Sequence, residues 1–275
     1  MPVEENVASH YTRGNLEQAI LAAIATTRPG SAKLSTGDLV ALDEFHVGGI
    51  EATRELADQM QLSHGMRVLD VGCGIGGPAR YFAEDRRCHV TGVDLTKEFV
   101  DVARRLTQMV GLSGTTEFHQ ADARTLSFAN ASFDRAYMIH VGMNIADKTA
   151  VYREVGRVLK PDGIFAVFDV VRASDGEISY PMPWANSAET SFVSDLNQYH
   201  HALEASGFKI ERQRHRGQFS IEFTERAMAR TAQSGPPALG LQLLMGEKTP
   251  LMLKNVLIGM KQGVLEPIEI LARAV

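Results

Sequence analysis

Asp70-Val71-Gly72-Cys73-Gly74-Ile75-Gly76-Gly77 places a carboxylate two residues ahead of a glycine cluster. Glycines there let the main chain turn tightly and let a ligand come against it. The stretch satisfies G-x-G-x-x-G through Gly72, Gly74 and Gly77, and also G-x-G-x-G through Gly72, Gly74 and Gly76, so alone it fits a dinucleotide or another nucleoside ligand. Asp70 would repel a pyrophosphate but suits the ammonium of an amino-acid-like ligand. Asp94, 22 residues after Gly72, is placed to accept hydrogen bonds from both hydroxyls of a ribose, in a nicotinamide dinucleotide or in an adenosyl group. Asp122, in Ala121-Asp122-Ala123, can accept from an adenine amino group or cap a turn. His140 lies in Ile139-His140-Val141-Gly142-Met143-Asn144. An ordinary imidazole pKa of about 6.5 suits a general base, but the ring can equally line a pocket. Trp184, the only tryptophan, offers a face to a cationic amine or a flat ring, or anchors the loop around Pro181 and Pro183. No group of residues has metal-ligand spacing, so the chemistry is expected to be metal-free.

These residues need elements to hold them. Met66 to Val71 is a short apolar run ending in the glycines, and Pro78 to Glu84 reads as the helix after it. His89 to Val93, Thr116 to His119, Phe133 to Ile139 and Ile164 to Phe168 read as further strands. Lys97 to Val110 puts Phe99, Ala103, Leu106 and Val110 on one helical face, with Gly111 as its stop, and Asp147 to Leu159 does the same with Val151, Val155 and Val158. Lys160-Pro161-Asp162-Gly163 has turn chemistry. A helix over Ser191 to Ser206, a strand over Phe208 to Arg214, a helix with Thr249 as its capping hydroxyl and Pro250 at its first position, and a last strand over Val264 to Val275 complete the pattern. Pro267 pushes that last strand toward an edge or an irregular start. Alternating strands and helices predict an α/β, doubly wound, mostly parallel Rossmann-like sheet. Residues 1–61 read as a helical N-terminal lid, and 62–275 as the sheet domain with cap segments at about 173–190 and 217–248.

Composition narrows the partners. The chain has 275 residues, 44% apolar and 22% charged, as in ordinary globular proteins. Its net charge of −5 argues against nucleic acid as a partner. No stretch approaches 18 apolar residues, so no stable membrane insertion is expected, and the acidic start Met1-Pro2-Val3-Glu4-Glu5 is not a signal peptide. Two cysteines cannot form a disulfide framework. A cytoplasmic protein, monomer or homodimer, is expected.

The run Val68 to Gly76, then Val93-Asp94-Leu95, then Ala121-Asp122-Ala123, then Leu159-Lys160-Pro161-Asp162-Gly163 resembles the class I S-adenosylmethionine-dependent methyltransferases in order and spacing. The resemblance covers roughly residues 60–172. It implies seven strands with an antiparallel last one, S-adenosyl-L-methionine as cofactor and S-adenosyl-L-homocysteine as product. It also implies cofactor contacts from Asp70, Gly72, Cys73, Gly74, Gly76, Asp94, Leu95, Asp122, Ala123 and His140. Within that group the chain is similar to the small-molecule enzymes of the sarcosine/dimethylglycine, phosphoethanolamine and tocopherol type. That resemblance implies that Tyr11 covers the methionine part and that His46, Val47, Gly48 and Gly49 approach its carboxylate. Tyr11, Asn144 and Trp184 would line the place of a small-molecule methyl acceptor. The phosphoethanolamine enzymes carry an Asp and then a His four residues on, where this chain has His140 and Asn144, which argues against phosphoethanolamine itself. The expected reaction is in-line methyl transfer. A nicotinamide-dependent oxidoreductase and a non-catalytic S-adenosylmethionine-binding protein stand as alternatives.

Overall fold

The computed structural model describes residues 3–27 and 34–275; residues 1, 2 and 28–33 of the expected lid lie outside the described residues. Four helices come first: α1 (Val3–Tyr11), α2 (Leu16–Thr27), α3 (Thr36–Asp43) and α4 (Gly49–Gln59). The alternating part follows as β1 (Arg67–Val71), α5 (Gly77–Asp85), β2 (His89–Asp94), α6 (Lys97–Val110), β3 (Thr116–Gln120), β4 (Phe133–Ile139), α7 (Lys148–Val158) and β5 (Leu159–Arg172). The last third is α8 (Leu196–Ala205), β6 (Phe208–His215), α9 (Gly217–Ser234), α10 (Gln242–Met245), α11 (Thr249–Lys261) and β7 (Leu265–Ala274).

The seven strands form one sheet in the order β3-β2-β1-β4-β5-β7-β6. Only β7 runs against its neighbours, as the sequence predicts. The period of two along each strand divides the core. Leu69 of β1 and Phe165 and Val167 of β5 pack with α7 and α8 on one face. Val68 of β1 and Ala166 and Phe168 of β5 pack with α4, α5 and α6 on the other. Burying each large side chain contributes about 1.5–3 kcal/mol, so this two-sided packing holds the strand ends in register. The strand order reverses between β1 and β4, and the crevice outside their carboxyl ends is where ligands bind in such sheets.

Four local expectations differ from the structure. Lys160 to Gly163 is an irregular stretch inside β5 rather than a turn before it: the pairing with β4 jumps from Phe133–Leu159 to Arg135–Ile164, and Asp162 takes a positive φ of 62°. The helix expected from Ser191 starts at Leu196, because Asp195 and Gln198 form a capping box there, while the Phe192 amide donates to the Met143 carbonyl. Thr249 is the first residue of α11 rather than its cap, and its hydroxyl donates to the Gly246 carbonyl. Pro267 lies in an interior strand, not an edge. It lies near the start of β7, where its carbonyl accepts from the Arg216 amide just past the end of β6, so the one bond its missing N–H forgoes falls at the end of that pairing.

Candidate active site

The carboxyl ends of β1, β2, β4 and β5 open into a cavity of about 1450 Å³. The helices α1, α3, α9, α10 and α11 close over it. The glycine turn forms its floor. Gly72 and Cys73 both donate their amides to the Val93 carbonyl, at 2.8 and 3.0 Å, which ties the turn to β2. Gly72 and Gly74 have positive φ, and a Cβ at Gly72 would lie 2.4 Å from Val141, so only glycine fits. A Cβ at Gly74 would meet nothing within 4 Å, so that backbone faces open space.

Asp70 ends β1 under this turn. It is buried, and its Oδ2 has no hydrogen-bond partner among the described residues. Burial pushes its pKa up to about 8, the neighbouring Tyr137 opposes the rise and Asp94 adds to it. Asp94 is half-buried. Its Oδ2 accepts from the Gly74 amide at 2.9 Å and its Oδ1 from the Thr96 amide at 2.8 Å. The carboxylate therefore holds the glycine turn and the start of α6 as well as lining the cavity. Burial raises its pKa and those backbone donors oppose the rise.

Most residues expected from the sequence meet at this cavity. Tyr11, His46, Gly49, Asp70, Gly72, Cys73, Gly74, Asp94, Leu95, Asp122, Ala123, His140, Asn144 and Trp184 all line it. Gly48 and Gly76 do not. Both adopt left-handed conformations at helix starts, and their Cβ positions face Phe219 and Phe118 respectively, so they shape turns behind the wall. Asp122 is engaged by its neighbour: Arg124 donates to both carboxylate oxygens, at 2.6 Å on the shorter side, and holds the Asp122 pKa below the usual carboxylate range. The carboxylate keeps lone pairs for a further donor. His46 directs its ring nitrogens at its own surroundings, Nδ1 to the Val47 carbonyl at 3.1 Å and Nε2 to Glu44 at 2.8 Å. Trp184 is 4% exposed, donates to Ser191 Oγ and packs with Met143, Met182 and Met260, so it anchors its loop while lending an edge to the cavity.

His140 has a positive φ of 55° and its amide donates to the Phe168 carbonyl at 2.7 Å. Its ring packs against Phe168 and His46, with centroids 4.9 and 5.8 Å away, and its Nε2 is buried without a hydrogen-bond partner. Burial, reinforced by His46, holds its pKa well below the ordinary value, so the imidazole is neutral at neutral pH. The turn that follows is pinned from behind. Asp169 Oδ2 accepts from the Gly142 amide at 2.7 Å and from the Tyr199 hydroxyl at 2.8 Å. That turn presents Asn144, whose Oδ1 accepts from the Tyr11 hydroxyl at 3.1 Å. The adjacent His10 and Asn186 contacts dock α1 onto the segment around Pro183.

Sequence reasoning missed Glu44, Thr53 and Asp169. Glu44 and Thr53 surround His46 from the end of α3 and from within α4, so no period of a single element links the three and the sequence offered no signal. The α9 contribution was legible. Phe219, Phe223 and Ala227 recur every four residues, yet the segment reads as an irregular cap if attention rests on Pro236 and Pro237.

Comparison with known proteins agrees with this geometry. Residues 69–167 match the family model described as a methyltransferase domain. Phosphoethanolamine N-methyltransferase 1 of Arabidopsis thaliana is 36% identical over 169 residues, which is 58% of this chain and 32% of that protein. Sterol 24-C-methyltransferase ERG6A of Gibberella zeae is 40% identical over 114 residues, 42% of this chain and 30% of that protein. The match thus spans about a third of the length of these curated relatives. Among solved structures, the (4+2)-cyclase SpnF superposes with a TM-score of 0.70 at 25% identity, covering 99% of this chain and 97% of its own. A geranyl diphosphate methyltransferase bound to its substrate and sinefungin superposes with a TM-score of 0.75 at 15% identity over the whole of both chains, a likeness of fold. With the glycine turn, the acidic strand ends and the seven-stranded sheet in place, the chain carries a methyltransferase domain across residues 69–167.

Proposed function

We propose that this protein transfers a methyl group from S-adenosyl-L-methionine to a small-molecule acceptor, leaving S-adenosyl-L-homocysteine. The observation that carries the reading is Asp70, a buried carboxylate with an unpartnered oxygen in the cavity wall, under a glycine turn that is open at Gly74. That pairing fits the ammonium end of an amino-acid-like nucleoside and opposes the pyrophosphate of a dinucleotide. Asp94 would take the ribose hydroxyls, and Asp122 an adenine amino group through the lone pairs that Arg124 leaves it.

When bound at Asp70, Asp94 and Asp122, the cofactor would supply an activated methyl group, with its sulfur as the neutral leaving group. The protein's part is placement and exclusion of water. Orienting two reactants is worth up to ~7–11 kcal/mol of barrier. The seven-stranded sheet fixes the cavity floor, and α1 with the 173–190 and 217–248 segments acts as the lid that keeps water out of a reaction that disperses charge. His140, neutral and apolar-packed, lines the site beside the place of the acceptor. It is available as an acceptor of hydrogen bonds, and its depressed pKa makes it a weak base. A cytoplasmic monomer or homodimer with no nucleic-acid partner belongs to the same proposal, supported by the net charge of −5 and by two buried cysteines that are both free. Among the described residues no helix is long and apolar enough to cross a membrane.

A cyclase that performs no methyl transfer is a second reading, favoured by the likeness to SpnF along nearly the whole chain. Calorimetric titration with S-adenosylmethionine, S-adenosylhomocysteine and NAD tests the first reading. Both adenosyl ligands bind and NAD does not. Replacing Asp94 with Ala weakens the adenosyl ligands at least tenfold, because the ribose contact and the two backbone bonds that hold the turn are lost together. NAD binding alone, or unchanged affinity in that variant, overturns the assignment. Transfer of label from methyl-labelled cofactor to product then separates a methyltransferase from a cyclase.

A further inference from the structure

We propose that the acceptor is a bulky, largely apolar molecule that carries no phosphate. The inference rests on the methyltransferase reading of the same cavity and concerns the part of it that the cofactor does not use. Sites for one drug-sized ligand occupy ~300–1,000 Å³. A hollow of about 1450 Å³ therefore holds the cofactor and a second molecule of comparable size.

The charge of the wall says what that second molecule lacks. Among the described residues that line the cavity there are nine Asp and Glu side chains, no Lys, and two Arg. Of these, Arg124 is spent on Asp122 at the cofactor end, and Arg230 sits on an exposed stretch of α9. A phosphate or diphosphate needs several charge-assisted donors, and a site that reads one by side chains converges Arg or Lys on it. The described lining offers no such convergence, and of its acids Asp70, Asp94 and Asp122 are taken up by the cofactor end and Asp43 and Glu44 by Arg80 and His46. Asn144, which stands where a polar acceptor group would be met, already accepts from Tyr11.

The composition of the wall says what the molecule has. Beyond His140 the lining turns to Met143, Val170, Trp184, Phe223, Met228 and Met245, contributed by β5 and the turns and helices that cover it. Methionines suit an adaptable apolar site, since the thioether chain is flexible and polarisable. Apolar surface binds by area removed from water, which rewards a large hydrocarbon framework over a small polar amine.

The test uses the full chain and two defined probes. S-Adenosylhomocysteine is titrated first. With it at saturation, Nile red (a bulky neutral dye without phosphate) is titrated by fluorescence, and phosphoethanolamine by calorimetry. Nile red binds at least tenfold more tightly than phosphoethanolamine. Ala227→Trp and Met228→Trp, which fill the α9 side of the hollow, each weaken Nile red at least tenfold while S-adenosylhomocysteine affinity stays within twofold, which also shows that the variants fold. Tighter binding of phosphoethanolamine, no binding of Nile red, or Nile red affinity unmoved by both substitutions overturns the proposal while leaving the cofactor reading intact. Failure of the parent protein to bind S-adenosylhomocysteine overturns the underlying reading instead, and this inference with it.

Discussion

At the scale of single residues, Asp70 has the sharpest consequence. Its buried carboxyl is raised to about 8, so in the free protein it is largely protonated at pH 7. An ammonium group brought against it favours the carboxylate and lowers that pKa. Binding of S-adenosylhomocysteine at pH 7 is therefore expected to release close to one proton, and affinity is expected to rise by up to about tenfold per pH unit between pH 6 and 8. Calorimetry in two buffers of different ionisation enthalpy reads the proton directly. Asp70→Asn should abolish both the release and the pH dependence. Affinity that is flat with pH in the parent protein would show that the ammonium lies elsewhere. The residue-level reading of the site was partly legible in the sequence. Asp70, Gly72, Gly74 and Asp94 sit where strand ends and spacing put them, because each follows directly from the element that carries it. The partners of Asp122 and His46 were not legible, since Arg124 and Glu44 reach them through side-chain choices that no period encodes.

At the scale of elements, the cavity is closed by a small number of specific ties. The Tyr11 hydroxyl bonds Asn144, and burial holds its phenol well above the ordinary range, so it stays a donor at any working pH. The turn that carries Asn144 depends in its turn on Asp169, which takes the Gly142 amide and the Tyr199 hydroxyl, with Lys148 nearby. Tyr11→Phe removes one neutral bond, worth about 0.5–1.5 kcal/mol, and should loosen α1 without unfolding the sheet. Hydrogen exchange of residues 6–16 should quicken by roughly 2- to 10-fold, with exchange in β1 and β4 unchanged. Exchange over α1 that stays the same would show that the His10 contacts to Pro183 and Asn186 hold the helix unaided. The six strands that run the same way were legible because period, glycine stops and proline starts agree within short windows. The interior place of β7 was not, because Pro267 signals an edge locally and only the point where β6 ends makes it harmless. The long helix α9 was hidden by the prolines beyond it, though its four-residue apolar spacing was present.

At the scale of the whole molecule, the same buried acids govern stability. Asp70 is raised to about 8 and Asp169 to about 7, both by burial. For an acid whose folded pKa lies above its unfolded one, the native state binds the proton more tightly. Its stabilisation is complete below the unfolded pKa and is lost as pH rises through the folded pKa. His140 acts in the opposite sense. Its pKa lies well below the ordinary value, so its contribution is complete above about pH 6.5 and is lost as pH falls through the folded pKa. Below about pH 6.5 the two effects oppose each other; between pH 6.5 and 8 the acids prevail, opposed only as pH nears 8 by Lys148, whose pKa burial lowers to about 8. Each group can contribute up to about 1.4 kcal/mol per pH unit there, and with Asp169 already half titrated near its pKa the two together amount to about 2 kcal/mol. The unfolding midpoint is thus expected to fall by several degrees from pH 6.5 to pH 8. Saturating S-adenosylhomocysteine should cancel much of that fall, because its ammonium would stabilise the Asp70 carboxylate when it ionises. Differential scanning calorimetry with and without the ligand at both pH values measures the two shifts. A midpoint that rises from pH 6.5 to pH 8 in the free protein would mean that the ionised carboxylates are compensated within the fold. The cavity would then already hold a positive partner for Asp70, and the ligand's ammonium would have no unpaired charge to meet.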